Sequence, residues 1–408
     1  MAHAGEFRRE SLRGTEGFFR AGQDDAGRWW LIDPAGRPFF CKAVQGVRAT
    51  ATEGETRLAG DPAARLRAWG FNTVGAGGDG AGRDDGMVFM EAVDFCRAGP
   101  LILAPGVRVP DVFDPDWPRR AAAHATGVCA PRAASRELLG WLTDDAPGWG
   151  QPAVAGHSAG PGAGRPSLLQ VCLSLEPGFA AYHAAWEFVL ALHDGRLGAL
   201  ARAWSVPLAN KEVIREQTRA EEGFGTRGYL RDDARWSREF ARRYFTSTAT
   251  AIRAVDPNHL LLGCRFAGPV GASVLAECAY PAADVTLCDW SELPPAGAPA
   301  AGPLLAGNVC WADEAFRAVP AAGSARRLTT VERMLRRGRL ALERAARHPA
   351  VAGYVWRQWL DEPGEQPPFA RGLVHLNGAG AREHTELLAE FNGRADTLRC
   401  TAPQTIFL

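Results

Sequence analysis

Residues 232–266, DDARWSREFARRYFTSTATAIRAVDPNHLLLGCRF, hold one full cycle of the pattern that decides the fold. Two acidic residues open a helical stretch, and Trp236, Phe240 and Tyr244 recur at i, i+4 and i+8, one face of an α-helix. Asp256-Pro257 stops it, because proline cannot donate to the helical ladder. A short apolar run over 259–265, of strand length, follows at once. Helix then buried strand, repeated along a chain, signals a parallel sheet with crossover helices. Similar runs predict strands near 39–47, 70–75, 87–95, 138–144, 259–265, 284–288, 303–308 and 351–356. The clearest helical patterns between them cover 62–69, 178–204, 232–255 and 329–347. Eight such strands predict an α/β chain folded as a (β/α)8 TIM barrel. Ahead of them, 18–38 reads as a β-hairpin turning at Asp24-Asp25-Ala26-Gly27.

The expected organisation is an extension and hairpin over 1–38, a barrel over 39–392 and a tail over 393–408. The tail ends in an apolar TIFL expected to dock on the barrel. Two long βα loops stand out. Residues 146–167 are rich in Gly, Pro and Ala and read as a surface loop or as a lid on the active-site face. Residues 207–231 are charged and irregular.

With 408 residues, 46% hydrophobic and 23% charged, the composition is that of a globular protein. Its 46 basic and 46 acidic residues cancel, which gives no support for nucleic acid or an anionic membrane as partner. The opening MAHAGEFRRESLRGTEG lacks an apolar export core, and no run approaches the ~20 apolar residues of a membrane span. The expected location is cytoplasmic. Nine cysteines, without a C-x-x-C pair, read as buried free thiols. No Walker motif, H-E-x-x-H or cysteine–histidine cluster occurs, so neither metal nor cofactor is expected. Gly75-Ala76-Gly77-Gly78-Asp79-Gly80 satisfies G-x-G-x-x-G, but AGRDDGM follows it where a dinucleotide site needs a helix. His259 sits in an Asp-Pro-Asn-His turn and reads as structural. Thirteen tryptophans supply core, and aromatic faces of the kind that stack on sugars.

Several stretches, in order, resemble agarase-type retaining glycosidases. GRWWLIDPAGRPFFCKAVQGV (27–47) is similar to that family's opening hairpin and first strand, and RLRAWGFNTVGAGGD (65–79) to its second. PDVFDPDW (110–117) resembles a family loop and helix start. DPNHLLLGCRF (256–266) resembles the fifth strand, DVTLCDW (284–290) the sixth and VAGYVWRQWLDEP (351–363) the eighth. GWLTDDAPGW (140–149) is similar to the fourth-strand pattern G-[YF]-x-x-D-N-E-x-x-W, and GPLLAGNVCW (302–311) to the seventh, P-[VI]-I-[IV]-G-E-F. The family's acid/base glutamate falls on Ala146 and its nucleophile on Asn308.

A retaining glycosidase needs two carboxyl groups about 5–5.5 Å apart. Alanine can neither give nor take a proton, and an amide is a very weak nucleophile. A one-residue slip would turn a strand side chain to the other face, and no Asp or Glu lies between Glu292 and Asp313. Asp144 matches a family aspartate with a structural role. Asp145 stands where the family has an asparagine that binds a sugar hydroxyl; it reads as a hydroxyl binder, a displaced acid or base, or a loop aspartate. By the resemblance, Asp145 and Asn308 are the degenerate catalytic positions. Gln45, Arg265, Asp289, Trp290, Trp356 and Gln358 are the candidate substrate-binding residues, with Trp356 as the floor of a sugar subsite. Three readings stay open: a barrel that binds a glycan or glycosylated small molecule without retaining hydrolysis, a barrel repurposed for an intracellular small molecule, and a glycosidase with relocated carboxylates.

Overall fold

The computed structural model describes residues 7–50, 60–150, 166–266, 270–295, 302–311, 330–365 and 369–401. Most of the 146–167 loop and the TIFL tail lie outside them. Eight strands form one parallel sheet: β4 (Cys41–Val44), β5 (Thr73–Val74), β6 (Val88–Ala92), β9 (Leu138–Leu142), β11 (Leu260–Leu261), β12 (Thr286–Asp289), β13 (Leu304–Val309) and β14 (Val351–Trp356). Their order is β11-β9-β6-β5-β4-β14-β13-β12. The two ends of that series meet through backbone bonds, Asp284 N–H to Leu261 O at 2.8 Å and Leu287 N–H to Leu262 O at 3.2 Å. The protein is thus a mixed α/β fold with a curled eight-stranded parallel sheet, consistent with a TIM-like barrel.

The strands are nearly all apolar because parallel sheets are covered on both faces. One face packs on the helices. The other encloses Cys41, Ala43, Met90, Leu139, Leu260, Leu262, Leu287, Leu305 and Val355. The antiparallel sheet of β1 (Arg20–Gln23), β2 (Trp29–Ile32) and β3 (Pro38–Phe39) adds Phe19, Ala21 and Leu31 to that inner cluster. It sits at the strand starts, where Arg13 Nη1 donates to Asp284 O and Trp29 N–H to Pro349 O. Arg399, on the helix Arg382–Cys400, ties the same end together by donating to the carbonyls of Trp29, Ala346, His348 and Pro349. With that end filled, the strand C-termini form the mouth.

Three elements differ from the sequence expectations. The stretch 178–204 is two helices, Ala180–Ala191 and Leu197–Trp204, broken where Asp194 and Gly195 take positive φ. The helix expected from 232 runs from Arg227 to Val255, because Thr226 caps it with a side-chain bond to Tyr229 N–H. The 207–231 stretch, expected to be irregular, contains the helix Glu212–Arg219. A small antiparallel sheet of β7 (Leu101–Ala104), β8 (Val107–Pro110) and β10 (Gly148–Trp149) stands beside the mouth. No helix among the described residues is long and apolar enough to cross a membrane.

Candidate functional site

Strand ends from five parts of the barrel bring polar side chains together at the mouth. Gln45 follows β4. Its Nε2 donates to Asp145 at 2.9 Å (Oδ2) and 3.1 Å (Oδ1), and to Ala76 O. Asp145, just past β9, accepts from Arg265 Nε through Oδ1. The backbones run together here, with Ala146 N–H on Arg265 O at 2.7 Å. Arg265 lies past β11 and donates through Nη1 to Asn308 Oδ1 at 2.9 Å. Asn308, in β13, donates through Nδ2 to Asp289 Oδ2 at 3.0 Å and to Phe266 O at 3.2 Å. Asp289 closes the series by accepting through Oδ1 from Ser291 N–H and Oγ. The result is a continuous relay, Gln45–Asp145–Arg265–Asn308–Asp289.

Backbone conformation sets two of these positions apart. Ala146 has φ 55° and Asn308 φ 53°, the left-handed region that costs a non-glycine residue roughly 1–2 kcal/mol. Asparagine tolerates it better than most. At Asn308 the ladder to β14 slips between Ala306 and Val309, so the strand bulges and turns the amide toward Arg265. Departures of this kind gather at functional sites. Here they fall on Ala146 and Asn308, the two positions that the sequence resemblance sets against the catalytic glutamates of agarase-type enzymes.

The donors around the two carboxylates define what they can do. Asp145 takes hydrogen bonds from Arg265 and Gln45, and Asp289 from Ser291 and Asn308. Both serve as acceptors, while a general acid needs a proton of its own to give. The Asn308 amide spends both N–H groups on Phe266 O and Asp289 and offers no nucleophile.

Other expected residues lie apart from the relay. Trp356 is the main correction. It has no exposed surface; its ring packs edge-on against Trp311 with centroids 4.5 Å apart, and Nε1 donates to Arg371 O. A ring enclosed in this way cannot floor a sugar subsite in this structure. Trp290 is half-buried, packed against the core at the start of a short turn. Gln358 turns to Glu362 Oε1 at 3.3 Å. Asp144 faces inward beneath the mouth and is fully buried, while His259 is held between Asp256 and Ser135 O.

The sequence reading did not assign the Gly75–Gly80 loop to the site. A Cβ on Gly77 would stand 2.6 Å from Asp145 Oδ2 and 3.2 Å from Gln45 Nε2. The glycines let the backbone lie directly on the relay. Their run immediately after a strand end was the available signal. Two open hollows of about 410 and 470 Å3 lie along the helix Arg227–Val255. Neither contains a mouth residue, and neither brings together chemistry comparable to the relay.

No protein-family model matches the chain. The chain is similar to Beta-agarase A of Vibrio sp. (strain JT0107), 24% identical over 324 residues that cover 62% of this chain and 32% of that protein. It thus spans about a third of the length of that curated relative. Among solved structures it is similar to an exo-beta-agarase, with TM-score 0.63, 17% identity and coverage of 96% of this chain and 67% of that one. BpGH50 gives TM-score 0.65 at 15% identity, over 97% of this chain and 86% of that one. The agarase AgWH50C gives 0.63 at 17%, over 97% and 66%. At these identities the likeness establishes the fold alone: this chain shares the fold of those three structures.

Proposed function

We propose that the protein is a (β/α)8 barrel of the agarase type that binds a carbohydrate or glycosylated small molecule and has lost retaining hydrolysis. One observation carries this reading. At the strand ends where such an enzyme needs two working carboxyls stand the methyl of Ala146 and the fully engaged amide of Asn308. Retaining hydrolysis needs a nucleophile and a proton donor at those points. What remains is a row of fixed donors and acceptors suited to sugar hydroxyls, with Asp145 still 22% exposed. A barrel repurposed for other small-molecule chemistry through Asp145 and Asn308 is the alternative.

A second reading, hydrolysis by relocated carboxylates, draws on Asp289 beside Asn308 and Asp145 beside Ala146. Against it stands the use of both groups as acceptors. The deciding experiment incubates the full chain with agarose oligosaccharides and aryl glycosides, following product anomers by NMR and binding by calorimetry. The expected result is saccharide binding without turnover. Turnover at an ordinary enzyme rate that Asp145→Asn or Asp289→Asn abolishes would establish the second reading. An unrelated metabolite that binds where no saccharide does would favour repurposing.

A further inference from the structure

Directly beneath the relay lies a pair of acids, Asp144 enclosed and Asp94 partly exposed, that the proposed function does not use. Asp144 has no exposed surface. Its Oδ1 accepts from Cys96 N–H at 2.9 Å, and its Oδ2 from Tyr244 Oη–H. Asp94, just past β6, holds a left-handed φ of 60°. Carboxylate oxygens of Asp94 and Asp144 lie within 4.8 Å of one another and of Cys96 Sγ. Asp94 Oδ1 is buried and accepts no hydrogen bond. An oxygen of that kind is costly unless a donor reaches it.

We infer that a proton shared between Asp94 and Asp144 regulates the mouth, holding the end of β9, and with it Asp145, against Arg265, and loosening that contact when the proton leaves.

The groups facing the pair support a shared proton. Arg97 Nε forms an ion pair with Asp94 Oδ2 at 2.6 Å, and Arg108 Nη2 stands 3.9 Å from Asp94 Oδ1. Both cations thus lie on Asp94. The groups around Asp144 are neutral: Cys96, Tyr244 from the long helix, and Cys264, whose thiol donates to the Asp144 carbonyl at 3.6 Å. His124 contacts the turn through Val93 O, away from both carboxylates. Two ionised carboxylates this close, one of them fully enclosed, repel each other, and one proton between them removes the repulsion and fills the empty acceptor. Burial pushes the Asp144 carboxyl up to about 7, and Asp94 adds to the rise.

The path to the mouth is short. Arg265 N–H donates to the Asp144 carbonyl at 3.2 Å, and Asp94 N–H to Thr143 O at 3.0 Å. A push between the two carboxylates therefore acts on the backbone that carries Asp145 and Arg265. The consequence for ligand binding rests on the proposal that the mouth holds a saccharide.

The test uses the full chain with 13C-labelled aspartate. Carboxyl carbons and Arg265 side-chain signals are followed by NMR against pH, and an agarose-derived tetrasaccharide is titrated by calorimetry over the same range. One carboxyl should titrate with a midpoint of about 7, the Arg265 signals should move with it, and tetrasaccharide binding should weaken several-fold above it. Asp144→Asn offers Asp94 a permanent amide donor and should abolish that titration and the accompanying Arg265 shift. Asp94→Asn should instead lower the midpoint, by removing the like charge. The switch is overturned if Asp144 titrates in the ordinary carboxylate range, or if Arg265 ignores its titration. A tetrasaccharide that binds at no pH would defeat the saccharide reading, while the two NMR titrations still decide the switch.

Discussion

Arg265 is the residue on which the mouth depends. It supplies Nε to Asp145 and Nη1 to Asn308 in one rigid fork, a geometry lysine cannot reproduce. Replacing it with methionine would leave Asp145 to Gln45 alone and remove the only side-chain donor on Asn308 Oδ1 among the described residues. Breaking a fully buried pair costs about 3–5 kcal/mol. Because Arg265 is 11% and Asp145 22% exposed, Arg265→Met should cost less, about 2 kcal/mol, read as a lower urea midpoint at unchanged slope. Arg265→Lys should recover less than half. The residues of the relay were legible one at a time, because each stands just after a strand. Their connections were not, since Gln45 and Asp145 are 100 positions apart and only barrel closure makes them neighbours. Trp356 failed as an expected platform for a related reason: its position at the strand end was readable, and the enclosure by Trp311 was not.

At the scale of elements, the Gly75–Gly80 loop changes meaning once its neighbours are known. Its spacing imitates a phosphate-binding turn, yet its glycines serve close approach to the end of β4 and to Asp145. Gly77 has φ +74° and sits against the Asp145 carboxylate, which can swing away; a Cβ on Gly78 would fall far inside contact with the Val47 carbonyl, which is backbone and cannot. Gly78→Ala should therefore be the more damaging, lowering the yield of folded protein. Gly77→Ala should fold with a loss of about 1–2 kcal/mol from the left-handed backbone, and should disturb the Asp145 and Arg265 NMR signals. Equal, negligible losses in thermal unfolding would show that the loop lies off the relay. All eight barrel strands were readable as short apolar runs at their observed positions. The hairpin of β7 and β8 was not singled out, although Pro105-Gly106 marks its turn. Asp194-Gly195 likewise marked the helix break. In both places the turn residues lie between two strongly apolar runs that read as one pattern.

For the whole molecule, one enclosed carboxyl sets a pH dependence that the surface charges do not hide. Formal charge balances at 46 against 46, and the many exposed ion pairs contribute little each. Asp144 is different, because folding raises its carboxyl from 3.8 to about 7 by burial, with Asp94 adding to the effect. Between those values the folded chain binds more protons than the unfolded chain. Stability from this group is then full below about pH 4 and falls as pH rises toward 7, the opposite of a salt-bridged aspartate. At 1.36 kcal/mol per unit, the span amounts to on the order of 4 kcal/mol. Other groups titrate over the same range, so the informative quantity is the difference between wild type and Asp144→Asn at each pH. The asparagine can still bond Cys96 and Tyr244 and carries no charge. Relative to wild type it should be neutral or destabilising near pH 4, should gain steadily between about pH 4 and 7, and should level off above that. Parallel stability curves for the two proteins across that range, by urea unfolding at each pH, would mean that Asp144 keeps its charge when buried.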